Sequence, residues 1–114
     1  MLIGLLSTGK GTWGHVSRLL EAYDSVHLLT NEFGAERFTA REGVVLHTVL
    51  GGVDVELVKK RIVDALKPVV SAELEVDVNL ASGSGIEHMA LIAALFELGV
   101  GFKLVYANEG VQVL

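Results

Sequence analysis

Hydrophobic and polar positions alternate along this chain in blocks, and the blocks change period. Leu2–Leu6 is an unbroken apolar run of strand length, followed by a polar, glycine-rich stretch. Val16, Leu19, Leu20 and Tyr23 then recur at helical spacing. Val26–Thr30 predicts a second strand, Phe33–Glu42 a short helix closed by Gly43, and Val44–Val49 a third strand. Asp54 suits the N-cap of a helix that lines up Val55, Val58, Ile62, Ala65 and Leu66, with Pro68 marking its end. Leu74–Leu80, Ile86–Leu98 and Phe102–Ala107 read as strand, helix and strand. Asn108-Glu109-Gly110 is a turn signal, after which Val111–Leu114 pairs back as an edge strand. Such alternation predicts βαβ units with right-handed crossovers. The expected domain, residues 1–114, is a three-layer α/β/α unit. Its mostly parallel five- to six-stranded sheet has strand order 3-2-1-4-5.

One helix breaks the amphipathic pattern. Met89–Phe96 carries no polar residue through two turns, and a helix apolar all round is covered on both sides. The sheet covers one side; a second copy of the chain is the expected cover for the other. Composition points the same way: 51% of residues are hydrophobic and 20% charged, more apolar surface than so small a core readily hides. A homodimer is therefore expected.

Charge narrows the partners. A formal net charge of −5 disfavours a broad duplex nucleic-acid face, which needs clustered Lys and Arg, but leaves room for a local anion site. The absence of cysteine excludes disulfides, thiolate metal sites and a cysteine nucleophile. The four histidines, His15, His27, His47 and His88, show no metal-ligand spacing, so neither a metal nor a cofactor is expected. Leu2–Leu6 is too short for a leader or a membrane span, and polar Ser7 and Lys10 follow it. No membrane association and a cytoplasmic location are expected.

The chemistry concentrates in two glycine-rich loops, Ser7–Gly14 and Ser82–Gly85, each following a strand and opening a helix. In open parallel sheets, ligands bind beyond the carboxyl ends of the strands, where strand order reverses. If Leu2–Leu6 and Leu74–Leu80 are neighbours there, both loops face one crevice. Glycine lets backbone N–H groups approach a ligand, and helix N-termini favour negative charge, so an anionic, phosphate-bearing ligand is expected. Lys10 is the one cation in either loop. Gly9, Gly11 and Gly14 also spell G-x-G-x-x-G, with Glu32 placed 18 residues after Gly14, near where a ribose-binding acid falls in dinucleotide-binding folds. Lys10 and Trp13 are bulky for that turn, which leaves NAD-type binding as the alternative. A Walker A reading of Gly4–Gly11 fails, because Gly11 stands at the Ser/Thr position and Leu5 and Leu6 belong to a strand. Ser84 and Glu87 match a capping box, compatible with Ser82 and the N–H groups of Gly83 to Gly85 acting as donors. Trp13 has two readings, stacking a nucleobase or packing over a helix start. His15 and His88 each follow a loop, as an acid–base group or as a helix-surface residue. His27 and His47 read as packing residues.

The segment Asn79-Leu80-Ala81-Ser82-Gly83-Ser84-Gly85-Ile86-Glu87-His88-Met89, running into Ala90–Leu95, resembles the second signature of CARF domains, the CRISPR-associated Rossmann-like ligand sensors. Leu2–Thr12 resembles the first signature, a strand ending in a Ser/Thr/Gly loop, and Phe102–Leu114 is compatible with the family's terminal strands. The layout covers the whole chain and the motifs about a quarter of it. The resemblance implies a Rossmann-like dimer that binds a cyclic oligoadenylate across its two copies. The implied contacts are Ser7, Thr8, Gly9, Lys10, Gly11 and Thr12 in the first loop, and Ser82, Gly83, Ser84 and Gly85 in the second. Some relatives cleave the ring, attacking with a ribose 2′-hydroxyl; here Lys10 would stabilise phosphate charge, and His15 or His88 would carry a proton. The second loop departs from the pattern, with Ile86 and Glu87 in place of a cation, which counts against cleavage. Arg41 and His47 form an Arg-x5-His string like that of ribonuclease domains fused to CARF, but it crosses a loop into a strand and reads as coincidence. A third reading is a regulatory, partner-binding subunit whose glycine loops are purely structural.

Overall fold

The computed structural model of the protein describes every residue except Gly9 and Lys10. The chain runs β1 (Leu2–Leu6), α1 (Thr12–Leu20), β2 (Val26–Thr30), α2 (Glu32–Arg37), β3 (Val44–Thr48), α3 (Val55–Val70), β4 (Glu75–Asn79), α4 (Gly85–Leu98), β5 (Gly101–Ala107) and β6 (Val111–Val113). Six strands form one sheet in the order β3-β2-β1-β4-β5-β6. All pairs are parallel except β5–β6. β1 is central, with Leu2 opposite Val26 on one side and Asp77 on the other. The architecture is the Rossmann-like one, and the terminal strand closes the far edge antiparallel after the turn at Asn108–Gly110.

Alternation along the strands deals the core to two faces. Ile3, Leu5, Leu29, Val76 and Val78 meet Val58, Ile62 and Leu66 of α3 and Ala90, Leu91, Ala94 and Leu95 of α4. Leu2, Leu6, Val26, Leu28 and Val44 meet Val16, Leu19 and Leu20 of α1. Asp54 caps α3 as expected, accepting from the N–H groups of Glu56 and Leu57.

Several boundaries differ from the pattern's expectation. α3 passes through Pro68 to Val70. Proline removes one donor, the partner of the Asp64 carbonyl, while Leu66 and Val70 remain packed in the core and hold the last turn. α2 stops at Arg37 rather than Glu42; Phe38 turns extended, at φ −92° and ψ 126°, and packs its ring edge-on to Trp13. β4 starts at Glu75 and not at Leu74, which is 95% exposed. Gly43, expected to close α2, instead leads into β3: at φ +86°, a Cβ there would lie 2.4 Å from the Asp24 carbonyl oxygen.

One glycine fixes the top of the sheet. A Cβ on Gly34 would lie 1.9 Å from Thr30 Oγ1 and 2.9 Å from the Leu6 carbonyl oxygen. Its absence lets α2 press onto the ends of β1 and β2, where the Thr30 hydroxyl donates to Leu6 O at 2.6 Å.

Candidate functional site

Strand order reverses at β1. The chain leaves β1 for β2 on one side and later returns to β4 on the other, so the loops after β1 and β4 lie side by side at the carboxyl edge. They are joined by hydrogen bonds. Ser7 N–H donates to Ser82 Oγ at 2.9 Å, and that hydroxyl donates to Thr8 O at 3.0 Å. Gly83 N–H donates to the same Thr8 carbonyl at 2.9 Å. Gly83 has φ +108°, and a Cβ there would crowd Leu5 Cδ1 at 3.0 Å and His88 Nε2 at 3.1 Å. Only glycine meets both demands.

The capping box of α4 is complete. Glu87 N–H donates to Ser84 Oγ at 3.2 Å, and Glu87 Oε1 accepts from Ser84 N–H at 2.9 Å. That oxygen also accepts from Ser7 Oγ at 2.7 Å, a bond between the loops that the sequence did not announce. One carboxylate therefore closes a helix end and holds the opposite loop. It also places negative charge on the β4 side of the crevice. α1 differs: its N-cap is Gly11 at φ +83°, with no side-chain cap and no acidic residue in the first turn. An anion is accordingly favoured at the α1 end. Thr12 Oγ1 lies 3.5 Å from Thr8 O within that turn.

The sequence-predicted residues thus fall into two groups. Thr8, Gly11 and Thr12 sit at the α1 end, and Gly83, Ser84 and Gly85 at the α4 end; Gly9 and Lys10 lie outside the described residues. Ser7 and Ser82 join the loops. Ser82 is fully buried with its hydroxyl occupied on both sides, so its influence on a ligand runs through loop shape. The histidines also stand behind the loops. His88 Nε2 lies 2.9 Å from Ser82 O, and because a carbonyl only accepts, this nitrogen carries the proton. His15 Nε2 faces two donors, Asn79 Nδ2 at 3.1 Å and Ala107 N–H at 3.3 Å, and is therefore the unprotonated nitrogen. Burial, and secondarily the nearby Arg18 charge, hold its pKa below 6.5. Asn79 completes the network by donating to Val105 O at 2.8 Å and accepting from Ala81 N–H at 3.2 Å.

Trp13 closes the other flank. Its Nε1–H donates to Ser7 O at 3.1 Å, and its ring meets Phe33 and Phe38 edge-on, with centroids 6.0 and 6.3 Å apart. Beyond Phe33, at the carboxyl ends of β2 and β3, opens a basin of about 450 Å³ bordered by Glu32, Thr48, Leu50 and Arg61. Glu32 was the one signal of this basin in the sequence; its opposite wall comes from the β3–α3 connection and α3, elements distant in the chain. His27 and His47 pair on neighbouring strands, with Nδ1 and Nε2 2.9 Å apart and rings stacked. Burial lowers both pKa values. No cluster of three or more His, Asp or Glu suited to a metal occurs among the described residues.

No family model and no curated protein matches the chain. A solved structure does. It is that of a Listeria monocytogenes protein described as a UDP-N-acetylglucosamine 2-epimerase, similar at a TM-score of 0.56 and 16% identity over 91% of this chain. The chain spans 29% of that protein's length. At this identity the likeness concerns the fold, a Rossmann-like unit. No helix among the described residues is long and apolar enough to cross a membrane.

Proposed function

We propose that this domain binds a nucleotide at the crevice between its two glycine loops, and that the ligand is a cyclic oligoadenylate shared by two copies. The observation that carries the reading is the hydrogen-bonded union of the loops after β1 and β4 at the point where strand order reverses. Phosphate falls to the α1 end, where no side chain caps the helix and Lys10 supplies the only full positive charge of either loop. Gly83 to Gly85 shape the opposite wall while Glu87 keeps negative charge there.

The exposed face of α4 supports the two-fold. Ala90, Leu91, Ala94 and Leu95 are buried against the sheet and α3. Met89 is 63% and Phe96 72% exposed, and with Ile92 and Ala93 they make a nearly uninterrupted apolar strip. The strip starts at His88, beside the second loop, so pairing through α4 brings two copies of that loop together. Binding without ring opening is the favoured activity: Nε2 of both His15 and His88 is engaged in holding the backbone, and the second loop has no cation.

Calorimetry with cyclic tri-, tetra- and hexa-adenylate, beside NAD and ATP, tests the reading. One ring per two chains is expected, Lys10→Ala should weaken it by about ten-fold or more, and chromatography should recover the ring intact. Absence of heat with every ring would overturn it, and heat with NAD alone would move the function to the dinucleotide alternative.

A further inference from the structure

The two loops of the crevice differ in what they can offer a ligand. The first opens α1 with no side-chain cap and no acidic residue in the first turn, and it carries Lys10. The second spends several donors inside the protein. The Ser82 hydroxyl and Gly83 N–H both donate to Thr8 O, and Ser84 N–H donates to Glu87 Oε1 at 2.9 Å. A hydroxyl has a single proton to give, and Ser7 gives its own to that same Glu87 oxygen at 2.7 Å. Glu87 itself is half-buried and forms no ion pair among the described residues. The β4 side of the crevice thus turns an unneutralised carboxylate toward any ligand, opposite the lone cation of the first loop.

The charge on a phosphate decides how strongly it feels that carboxylate. A phosphodiester carries one negative charge, whereas a terminal phosphomonoester carries about 1.5 to 2 at pH 7. Coulomb energies scale with the product of the charges. Lys10 and the open end of α1 would by themselves favour the more highly charged group. Glu87 repels that group in the same proportion, and so removes its advantage. We propose that Glu87 is a specificity-determining residue, which holds terminal phosphomonoesters out of the crevice and leaves it to phosphodiesters. The inference rests on the nucleotide reading above and deepens it: a closed oligonucleotide ring contains only diesters, while its linear, end-phosphorylated counterpart presents a monoester. The position of the carboxylate follows from its second task. As the third residue of α4 it completes the capping box, and the Ser7 hydroxyl fixes it against the first loop.

The test is calorimetry of the full chain and of Glu87→Gln with cyclic tri-, tetra- and hexa-adenylate. Each ring is measured beside the linear oligoadenylate of the same length, with a 5′-hydroxyl and with a 5′-phosphate. Glutamine also serves at this position of a capping box, so the variant should fold, with a melting temperature at most slightly lower. The unaltered chain should prefer the ring to the 5′-phosphorylated linear form. In Glu87→Gln that preference should fall about ten-fold, the effect of one unit of charge across such a crevice. The 5′-hydroxyl linear form, which lacks the extra charge, should keep its standing relative to the ring. An unchanged preference in Glu87→Gln would overturn the role of Glu87 and leave nucleotide binding standing. So would an equal gain by both linear forms, which would trace the discrimination to shape and not to charge. No heat with any ring from either chain would overturn the nucleotide reading, and this inference with it.

Discussion

The two faces of the sheet are built on different principles. Against α3 and α4 the contact is a continuous apolar layer, from Leu29 and Ile3 across to Val76, with the His27–His47 pair set out toward the β3 edge. Against α1 the apolar layer, which includes Leu28 of β2 and Val105 of β5, is interrupted at β4. Beside it, polar groups sit in two networks. Asn79, His15 and the Val105 and Ala107 backbone form one near the loops. Tyr23 donates to Asp77 Oδ2 at 2.5 Å in the other, where Lys103 lies 3.7 Å from Asp77 Oδ1. Burial, the hydrogen bond and the charge of Asp77 together raise the Tyr23 pKa, so the phenol keeps its proton. Apolar packing is close but non-directional; hydrogen bonds constrain angle as well as distance. The polar networks stand behind the crevice on the α1 side, Glu87 and His88 of α4 hold its loops from the other, and the apolar layer is the expected main support of stability.

Breaking the apolar face should have the largest effect. Leu91→Ala or Ile62→Ala, each fully buried, should cost about 2–5 kcal/mol in chemical denaturation. A loss under about 1 kcal/mol would mean that this layer is not the main support. Gly34→Ala comes next, at about 1–3 kcal/mol, because the new Cβ would overlap Thr30 and approach the Leu6 backbone; its thermal melt should fall visibly. Asn79→Ala should cost about 1–3 kcal/mol by stranding the buried groups it satisfies. Its distinguishing mark should be faster amide exchange at Ala81 and Ala107, with the α3–α4 layer unchanged. Ser82→Ala should cost about 1 kcal/mol and loosen the union of the loops, read as faster exchange at Ser7 and Gly83.

Acid offers the mildest probe. Folding holds the pKa of His15, His27 and His47 below 6.5, so between those values and about pH 6.5 the unfolded chain binds more protons. The stability linked to neutral imidazoles is therefore complete above about pH 6.5 and drains away as pH falls through the folded values. Melting temperatures measured downward from pH 7.5 should begin to fall near pH 6.5. His15→Gln should flatten part of that fall, and an unaltered slope would show that His15 takes no share in it.

The fold was legible because its central strands, β1 above all, are buried on both faces while helices such as α1 and α3 bury one, which writes distinct patterns into the chain. Strand order was read from alternation together with the two glycine loops, which placed the reversal between the first and fourth strands. Boundaries were less legible where tertiary packing overrode local signals: core contacts at Leu66 and Val70 outvoted Pro68, and Trp13 drew Phe38 out of helix. The loops were legible as glycine clusters, and Ser84 with Glu87 as a cap. That Glu87 also holds Ser7 was hidden, because 80 residues separate the partners. The basin was hidden for the same reason, since Arg61 and Glu32 meet only through the folded sheet.

Arg41, whose sequence context looked accidental, has a mechanical consequence. Its guanidinium donates to the carbonyls of Leu20 and, at 2.8 Å, Tyr23, clamping the last turn of α1 and the chain just beyond it. α1 has nine residues, about 14 Å of helix, with this clamp at one end and the glycine loop at the other. Were the helix to tilt, the displacement would be smallest at the clamped Leu20 end and largest at Thr12 and Trp13, beside Phe33 at the rim of the basin.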